Sequence, residues 1–539
     1  MSAGEVLVVG GGPAAQRFAE RLHHHGHRSG VSVLGAEPQA PYHRALLGSV
    51  LDGTLPATAL ALPALPAGTR LHTGVTVTRI DRARRLAYGD DGFVHRYDTL
   101  VLATGSRAAV PRIPGLPAGG ATALRTLADA ERCAAEPRGA AVVVGGGPLA
   151  VEAAAALRRA GHEVALVHRG PHLLDRHLDA AAGALLARSL EGLGIEVHTG
   201  RTAAAYCAGK LTLDDGRVLA ADTLLLCTGA VPETGLARRA GLTVRTGVVV
   251  DGLLRTDDPH IHAIGDCAEH PGDAAGHLEP AWAQAESLAR QLTGAPVRHL
   301  GTRQITRLRV PGIDLVRLGR GGPAPEGAEV VAFADPARGR YARLTLHGQR
   351  ITEAVLLGLP RAIAAVSRLY QLDLPVPTGR LELLLGIAPA APGADELPDD
   401  AVVCRCNNVT KHTVTEACRA GAADVAQVAA ATRATTGCGG CTDVVRALCH
   451  PRPAGAEDRP EGPSAPAAAL HDRAAPPRAP ARTPEDPGSL PEDPARIAED
   501  PGRTAEDQGR TPEVPARTAE DPARTAEDQG GTPGRSGDR

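Results

Sequence analysis

The sequence predicts an α/β protein: two interleaved parallel-sheet domains, then a small α+β domain, a small helical module and a disordered C-terminal tail. Three observations carry that expectation. Up to about residue 298, short Val/Leu runs alternate with Ala-rich stretches, the pattern of parallel strands joined by helices. A strand, a glycine-rich turn and a helix follow one another twice, at 5–25 and at 141–160. From residue 451 onward Pro recurs inside an Arg/Ala/Glu/Asp-rich heptad, with Arg at 496, 503, 510, 517 and 524. A segment so poor in apolar side chains cannot offset the entropy of ordering it, and its Pro content and lack of an apolar seam argue against a coiled coil.

Composition narrows the class. The 539 residues are 43% hydrophobic but only 2% aromatic, so Ala, Leu and Val must fill the cores. A net charge of −3 argues against a general nucleic-acid binder, which would carry a basic stripe. No run of about 18 apolar residues predicts a membrane span, and no basic export signal precedes the first strand, so the expectation is a cytoplasmic protein. Six of the ten Cys are isolated and four are grouped, which in such a setting reads as metal or redox chemistry and not as a disulfide framework.

In chain order, strands are expected at 5–9, 31–35, 99–103, 141–144, 163–167 and 222–227, with helices at 13–25, 148–160 and 180–192. The domain from 1 to 298 encloses its second sheet unit at about 121–245. Residues 299–372 form the α+β domain, with GIDLVRLG and RYARLTLHG as strands and PRAIAAVSRLYQL as a helix. Residues 373–400, rich in Pro, Gly and Ala, read as a linker, and 401–450 as a compact module with two short helices near 410–420 and 422–431. The His23, His24, His25 and His27 group reads as a solvated helix end.

The first turn, VVGGGPAAQRFAE, presents Gly10, Gly12 and Ala15 as G-x-G-x-x-A straight after a strand. The first glycine permits a tight turn, and the second lets backbone N–H groups approach a pyrophosphate at the helix N-terminus. Glu37 closes the second strand, where an acid accepts from ribose hydroxyls. The second turn repeats the pattern with Gly145, Gly147 and Ala150. Its following strand ends in His168 and Arg169 instead of an acid; an Arg there can hold a 2′-phosphate, which tilts the second nucleotide towards NADPH, while an Arg169 pointing to solvent would leave NADH. Glu152, in the first turn of the second helix, is placed to orient a nicotinamide amide or simply to favour the helix N-terminus. Both units are therefore Rossmann-type dinucleotide-binding domains.

The grouped cysteines are Cys404 and Cys406 in C-x-C and Cys438 and Cys441 in C-x-x-C. Two close pairs supply four thiolates, which suits a [2Fe–2S] cluster or a structural zinc. Gly437, Gly439 and Gly440 allow the backbone to turn its N–H groups toward sulfur. Cys133, Cys207, Cys227 and Cys267 are isolated in sequence, so a dithiol relay beside the first turn is not expected. Cys418 reads as a helix core residue and Cys449 as frayed.

DTLVLATGS between the two turns and HAIGDCAE after them resemble the two-dinucleotide-binding-domain flavoproteins. The resemblance implies FAD in the first site and NAD(P)H in the second, with Thr104 and Gly105 in the ATG turn and Asp266 meeting the ribityl chain. PYHRALLGSVL, EPAWAQAESLARQLTG and TRLRVPGIDLVRLG resemble the NAD(P)H–nitrite reductase large subunit and the electron-transfer subunit of assimilatory nitrate reductase. In the ferredoxin- and rubredoxin-reductase relatives a Lys stands near the flavin where this chain has Ser49; Arg44 matches the Arg of that segment. The Cys module resembles the bacterioferritin-associated ferredoxin-like [2Fe–2S] domain, which favours the cluster over zinc.

The resemblance covers about 4–450 and implies an FAD-dependent NAD(P)H oxidoreductase that feeds a nitrate or nitrite reductase. A homodimer is compatible with it. The nitrite reductase large subunit continues into a sirohaem domain, and the expectation here is the electron-input half alone. Two alternatives stay open: a ferredoxin or rubredoxin reductase or NAD(P)H oxidase with an appended cluster, and a redox-sensing or iron-handling interaction protein.

Overall fold

The computed structural model describes residues 4–117, 119–273, 276–321, 324–386, 397–404, 409–435 and 441–449. The tail at 451–539, expected to be disordered, and Cys406 and Cys438 lie outside these residues.

The first sheet is built from strands Ile261–Ala263, Thr99–Leu102, Val6–Val9, Val31–Gly35 and Thr69–Thr73 in that spatial order, all parallel. Val6–Val9, Val31–Gly35 and Ile261–Ala263 are buried throughout, as expected when both faces of a parallel sheet are covered. Helix Pro13–His24 packs on it beside helix Leu278–Leu292. The second sheet repeats the plan with Ile195–Thr199, Glu163–His168, Ala140–Val144, Thr223–Leu226 and Thr122–Ala123, again all parallel.

The second unit is nested inside the first. The chain leaves through Ser106–Ala108 and returns through Ala230–Pro232, and these two segments pair antiparallel. Each sheet domain also carries a three-stranded antiparallel excursion, Val77–Arg96 in the first and Ala203–Ala220 in the second. The short helix Leu47–Leu51 belongs to the first domain in sequence, but Leu47, Val50 and Leu51 join the second domain's core beside Ala153–Leu157. Leu308, Val310 and Leu315 of the next domain join that same core.

The α+β domain is a five-stranded antiparallel sheet, Ile305–Arg307, Leu315–Leu318, Arg350–Leu357, Arg340–His347 and Glu329–Asp335 in spatial order. Helix Pro360–Gln371 covers one face through Ile363, Val366 and Tyr370. The expected linker at 373–400 requires correction. Residues Arg380–Leu385 form a helix ended by Gly386 in the left-handed region, because Leu383 and Leu384 complete the core under Pro360–Gln371. Among its described residues the Cys module has three helices where two were expected: Lys411–Arg419, Val425–Thr432 and Thr442–Cys449. Cys449 closes the third helix and is not frayed. The His group is likewise only half solvated: His23 and His24 are exposed, while His25 Nε2 sits 2.9 Å from Glu286 on the neighbouring helix. Among the described residues no helix is long and apolar enough to cross a membrane.

If Arg380–Leu385 is part of the domain, Leu384→Ala should destabilise it by about 2–5 kcal/mol, the usual cost of emptying a buried Leu site. Leu381→Ala, on the exposed side of the same turn, should cost no more than about 0.5 kcal/mol. Urea melts of the two variants check the pair; equal small effects would return the segment to a linker.

Candidate nucleotide and iron–sulfur sites

The first glycine turn is shaped by steric necessity. Gly10 has φ +122°, and a Cβ there would lie 2.1 Å from the carbonyl oxygen of Ala103 on the adjacent strand. Gly12, which caps helix Pro13–His24 with extended backbone and no side-chain bond, has nothing within 4 Å of the position its Cβ would take. A tight turn thus leads to open space over a helix N-terminus, which fits a pyrophosphate. Ala15 is fully buried one turn further on.

Two other turns lie on neighbouring strands of the same sheet. After Thr99–Leu102, Thr104 Oγ1 donates to Glu233 O at 2.7 Å, and Gly105 adopts φ +70°. After Ile261–Ala263, Gly265 N donates to the buried Gln284 side chain at 2.7 Å, and its absent Cβ would lie 3.1 Å from Ala14 of the first helix. The motifs at 10–15, 104–105 and 265–266 therefore gather at the carboxyl ends of three adjacent parallel strands, where α/β sheets bind ligands.

The charged groups around this crevice are held by one another. Glu37 accepts from Arg44 Nη2, and Tyr42 Oη donates to its other oxygen at 2.7 Å. Arg44 also donates to Tyr42 Oη at 2.7 Å and stacks over its ring, 4.7 Å from the centroid. Burial pushes the Tyr42 hydroxyl well above its ordinary pKa, so it stays a donor. Asp266 accepts from Ser106 Oγ at 2.7 Å, Arg125 Nη2 at 2.9 Å and Gly276 N at 2.9 Å. Sequence reading found Glu37, Arg44 and Asp266 but missed Tyr42, Ser106, Arg125 and Gln284. Tyr42, Ser106 and Gln284 lie inside the quoted segments PYHRALLGSVL, DTLVLATGS and EPAWAQAESLARQLTG; Arg125 carries no local signal. Ser49 sits partly buried on helix Leu47–Leu51.

The second turn repeats the first. A Cβ on Gly145, at φ +141°, would lie 2.2 Å from Cys227 O, whereas Gly147 again faces open space. Ala150 is fully buried. His168 and Arg169, side by side in sequence, part company. The His168 ring packs beneath the turn, 2.2 Å from where a Cβ on Gly146 would be, with Nε2 3.4 Å from Asp175. Burial lowers its pKa, so it is neutral at pH 7. Arg169 is exposed. Glu152 Oε1 accepts from the backbone N–H of Arg309 at 2.9 Å, which links this helix to the α+β domain.

In the Cys module Cys404 and Cys441 are both buried in one small core with Val409, Val414, Val428, Ala434, Val445 and Leu448. Cys404 pairs with Val409 in a two-stranded ribbon. Cys441 precedes helix Thr442–Cys449, and its carbonyl accepts from Val445 N at 2.9 Å. The module touches the first domain: Arg433 Nη1 donates to Ala61 O at 2.5 Å, and Ala61 bridges to Tyr42.

The isolated cysteines offer no dithiol beside the first turn. Cys267 is buried, and its thiol donates to Leu102 O and Ile264 O at 3.4 and 3.3 Å. Burial raises the Cys133 thiol to about 11 and pushes Cys227 and Cys267 upward as well, so all three are inert packing groups.

Fold and turns together define a flavin- and pyridine-nucleotide-dependent oxidoreductase with an attached iron–sulfur module. Residues 4–285 match the pyridine nucleotide-disulphide oxidoreductase family, and residues 402–450 match the BFD-like [2Fe-2S] binding domain. The chain belongs to the pyridine nucleotide-disulphide oxidoreductase family. Over 460 residues it is 31% identical to a nitrite reductase [NAD(P)H] and 30% identical to an assimilatory nitrate reductase electron transfer subunit, both of Bacillus subtilis. Each alignment covers 82% of this chain, which spans 57% and 59% of the two relatives' lengths. The fold also matches putidaredoxin reductase in its covalent complex with putidaredoxin, at a TM-score of 0.63 and 26% identity, covering 72% of this chain and 99% of that one. The family matches support FAD, NAD(P)H and a [2Fe–2S] cluster as cofactors, and the zinc alternative falls away.

Proposed function

We propose that this chain draws electrons from NAD(P)H through FAD to a [2Fe–2S] cluster on Cys404, Cys406, Cys438 and Cys441, and hands them to a separate nitrate or nitrite reductase protein. The observation that carries the reading is the Arg433–Ala61 contact, because it fastens the cluster module to the segment that bears Tyr42 and Arg44. The names of the two Bacillus subtilis relatives support the choice of acceptor, and a cytoplasmic location accords with it.

FAD, when bound, accepts electrons from a dihydronicotinamide as a pair and releases them singly, as an iron–sulfur cluster requires. The chain's own residues bind and orient. Gly10, Gly12 and Ala15 would admit the FAD pyrophosphate, and Glu37, steadied by Arg44 and Tyr42, would accept from the adenosine ribose. Thr104, Gly105 and Asp266 would line the ribityl chain, with Arg125 and Ser106 fixing the Asp266 carboxylate. Ser49, close in sequence to Arg44, would stand near the flavin ring. Gly145, Gly147 and Ala150 would take the NAD(P)H pyrophosphate. Glu152, fastened to Arg309, would orient the nicotinamide amide. His168 would support the turn from below while the exposed Arg169 meets a 2′-phosphate.

The likeness to putidaredoxin reductase favours a second reading, in which the acceptor is a small external iron–sulfur protein. Dependence of nitrate turnover on a partner reductase, against equal activity with any small ferredoxin, separates the two.

Filling the open space at each turn tests the two nucleotide assignments. Gly12→Leu should yield protein that folds but loses its yellow colour, whereas Gly147→Leu should stay yellow and lose about tenfold or more in kcat/KM for NAD(P)H, at least 1.4 kcal/mol of transition-state binding. Retention of flavin by Gly12→Leu would overturn the assignment of the first site. Arg169→Ala should raise KM for NADPH by about tenfold and leave KM for NADH within about twofold, since only the 2′-phosphate contact is lost. Steady-state kinetics with both nucleotides checks this, and equal effects would remove Arg169 from the site.

A further inference from the structure

The Cys module contains a second pair of thiols that the relay does not use. Cys418 is the next-to-last residue of helix Lys411–Arg419, and Cys449 is the last residue of helix Thr442–Cys449. Cys418 Sγ donates to Cys449 Sγ at 3.2 Å. That separation is well beyond a disulfide bond of about 2.05 Å, so these are two thiols in contact. Both are partly exposed, unlike the buried Cys133, Cys227 and Cys267. The two helices are held together by Val414, Val445 and Leu448 in the module core, which keeps the sulfurs adjacent.

The pair stands apart from Cys441. Cys449 lies eight residues along its helix from Cys441, about 12 Å at the rise of an α-helix, too far for both sulfurs to ligate one small cluster. The segment between Cys418 and Cys449 nevertheless contains Cys438 and Cys441, so a covalent link here would close a loop around half of the ligand set.

We propose that Cys418 and Cys449 form a thiol–disulfide site, oxidised by exchange with a low-molecular-weight disulfide, that staples the first and third helices of the module. One cysteine thiolate attacks a sulfur of the small disulfide, making a mixed disulfide and releasing one small thiolate. The other cysteine then attacks the protein sulfur of that mixed disulfide and releases the second. The protein pair gives up two electrons and two protons, and the small disulfide takes both. Burial, the Cys418 contact and nearby Asp424 push the Cys449 thiol up to about 12, so little of Cys449 is thiolate at neutral pH. The staple restrains the ligand-bearing loop in the metal-free chain and thereby slows loss of the cluster; this consequence rests on the assignment of Cys404, Cys406, Cys438 and Cys441 as ligands.

The full-length holoprotein is equilibrated anaerobically in glutathione buffers of rising disulfide content, quenched in acid, alkylated, digested and mapped by mass. A linked peptide pair carrying Cys418 and Cys449 should accumulate with oxidant while the visible cluster absorbance stays constant. Release of iron to a chelator should then slow several-fold relative to the reduced protein, an effect absent in Cys418→Ser and Cys449→Ser. The wild-type peptide map does not depend on how well the variants fold. Both thiols remaining alkylatable across the whole series would overturn the proposal, as would a linkage that appears only after iron is lost and that includes the grouped cysteines. Linkage of Cys418 to Cys449 in protein that never binds iron would uphold the staple and refute the cluster assignment, so the two failures are distinguishable.

Discussion

At Gly10, and again at Gly145, the chain turns from a parallel strand into a helix while pressed against a carbonyl of the next strand. Any side chain at either position would meet that oxygen at little over 2 Å. The close approach draws the helix N-terminus over the end of the sheet, and two residues later Gly12 and Gly147 leave the space above it open. Both candidate nucleotide sites share this combination of contact below and vacancy above. The rest of the architecture brings other turns to the same edge: Thr104 and Gly105 on one neighbouring strand, Gly265 and Asp266 on the next.

The two sheet domains share a plan but differ in how their charged groups are arranged. The first crevice is braced by charge pairs, Arg44 with Glu37 close in sequence and Arg125 with Asp266 across 141 positions. Such part-buried groups are costly to leave unpaired, so their mutual bonds keep them oriented. The second site has a neutral His168 beneath the turn, an exposed Arg169, and Glu152 fastened to the α+β domain through Arg309. That last bond, with the shared core of Leu308, Val310 and Leu315, couples the nucleotide domain to the domain that follows it.

Much of this was legible from local pattern. Helix Pro148–Ala160 matches its expected bounds because Pro at its start and Gly161 beyond its end mark both ends, and Ala180–Gly192 starts where Asp179 caps it. Other features depend on distant residues. Ser106 and Arg125 reach Asp266 across 160 and 141 positions; Ser106 ends the DTLVLATGS motif, but nothing in the neighbourhood of Arg125 marks it. The antiparallel excursions are short, half-exposed strands. Helix Arg380–Leu385 is a single turn and a half whose reason for folding is a core contributed by residues 305–376. In the Cys module the grouped cysteines announced the chemistry, whereas the approach of Cys418 to Cys449 arises only once the helices pack.

In the proposed relay, electrons entering from the nicotinamide reach iron held by Cys404, Cys406, Cys438 and Cys441 within this chain. Anaerobic addition of NAD(P)H to the purified full-length protein, followed by visible absorption and EPR, tests it most directly. The predicted result is loss of flavin absorbance followed by the EPR signal of a reduced [2Fe–2S] cluster, with the signal missing in Cys404→Ser although its flavin still bleaches. Bleached flavin in a protein with its full complement of iron and sulfide, but with no EPR signal from a reduced cluster, would contradict it.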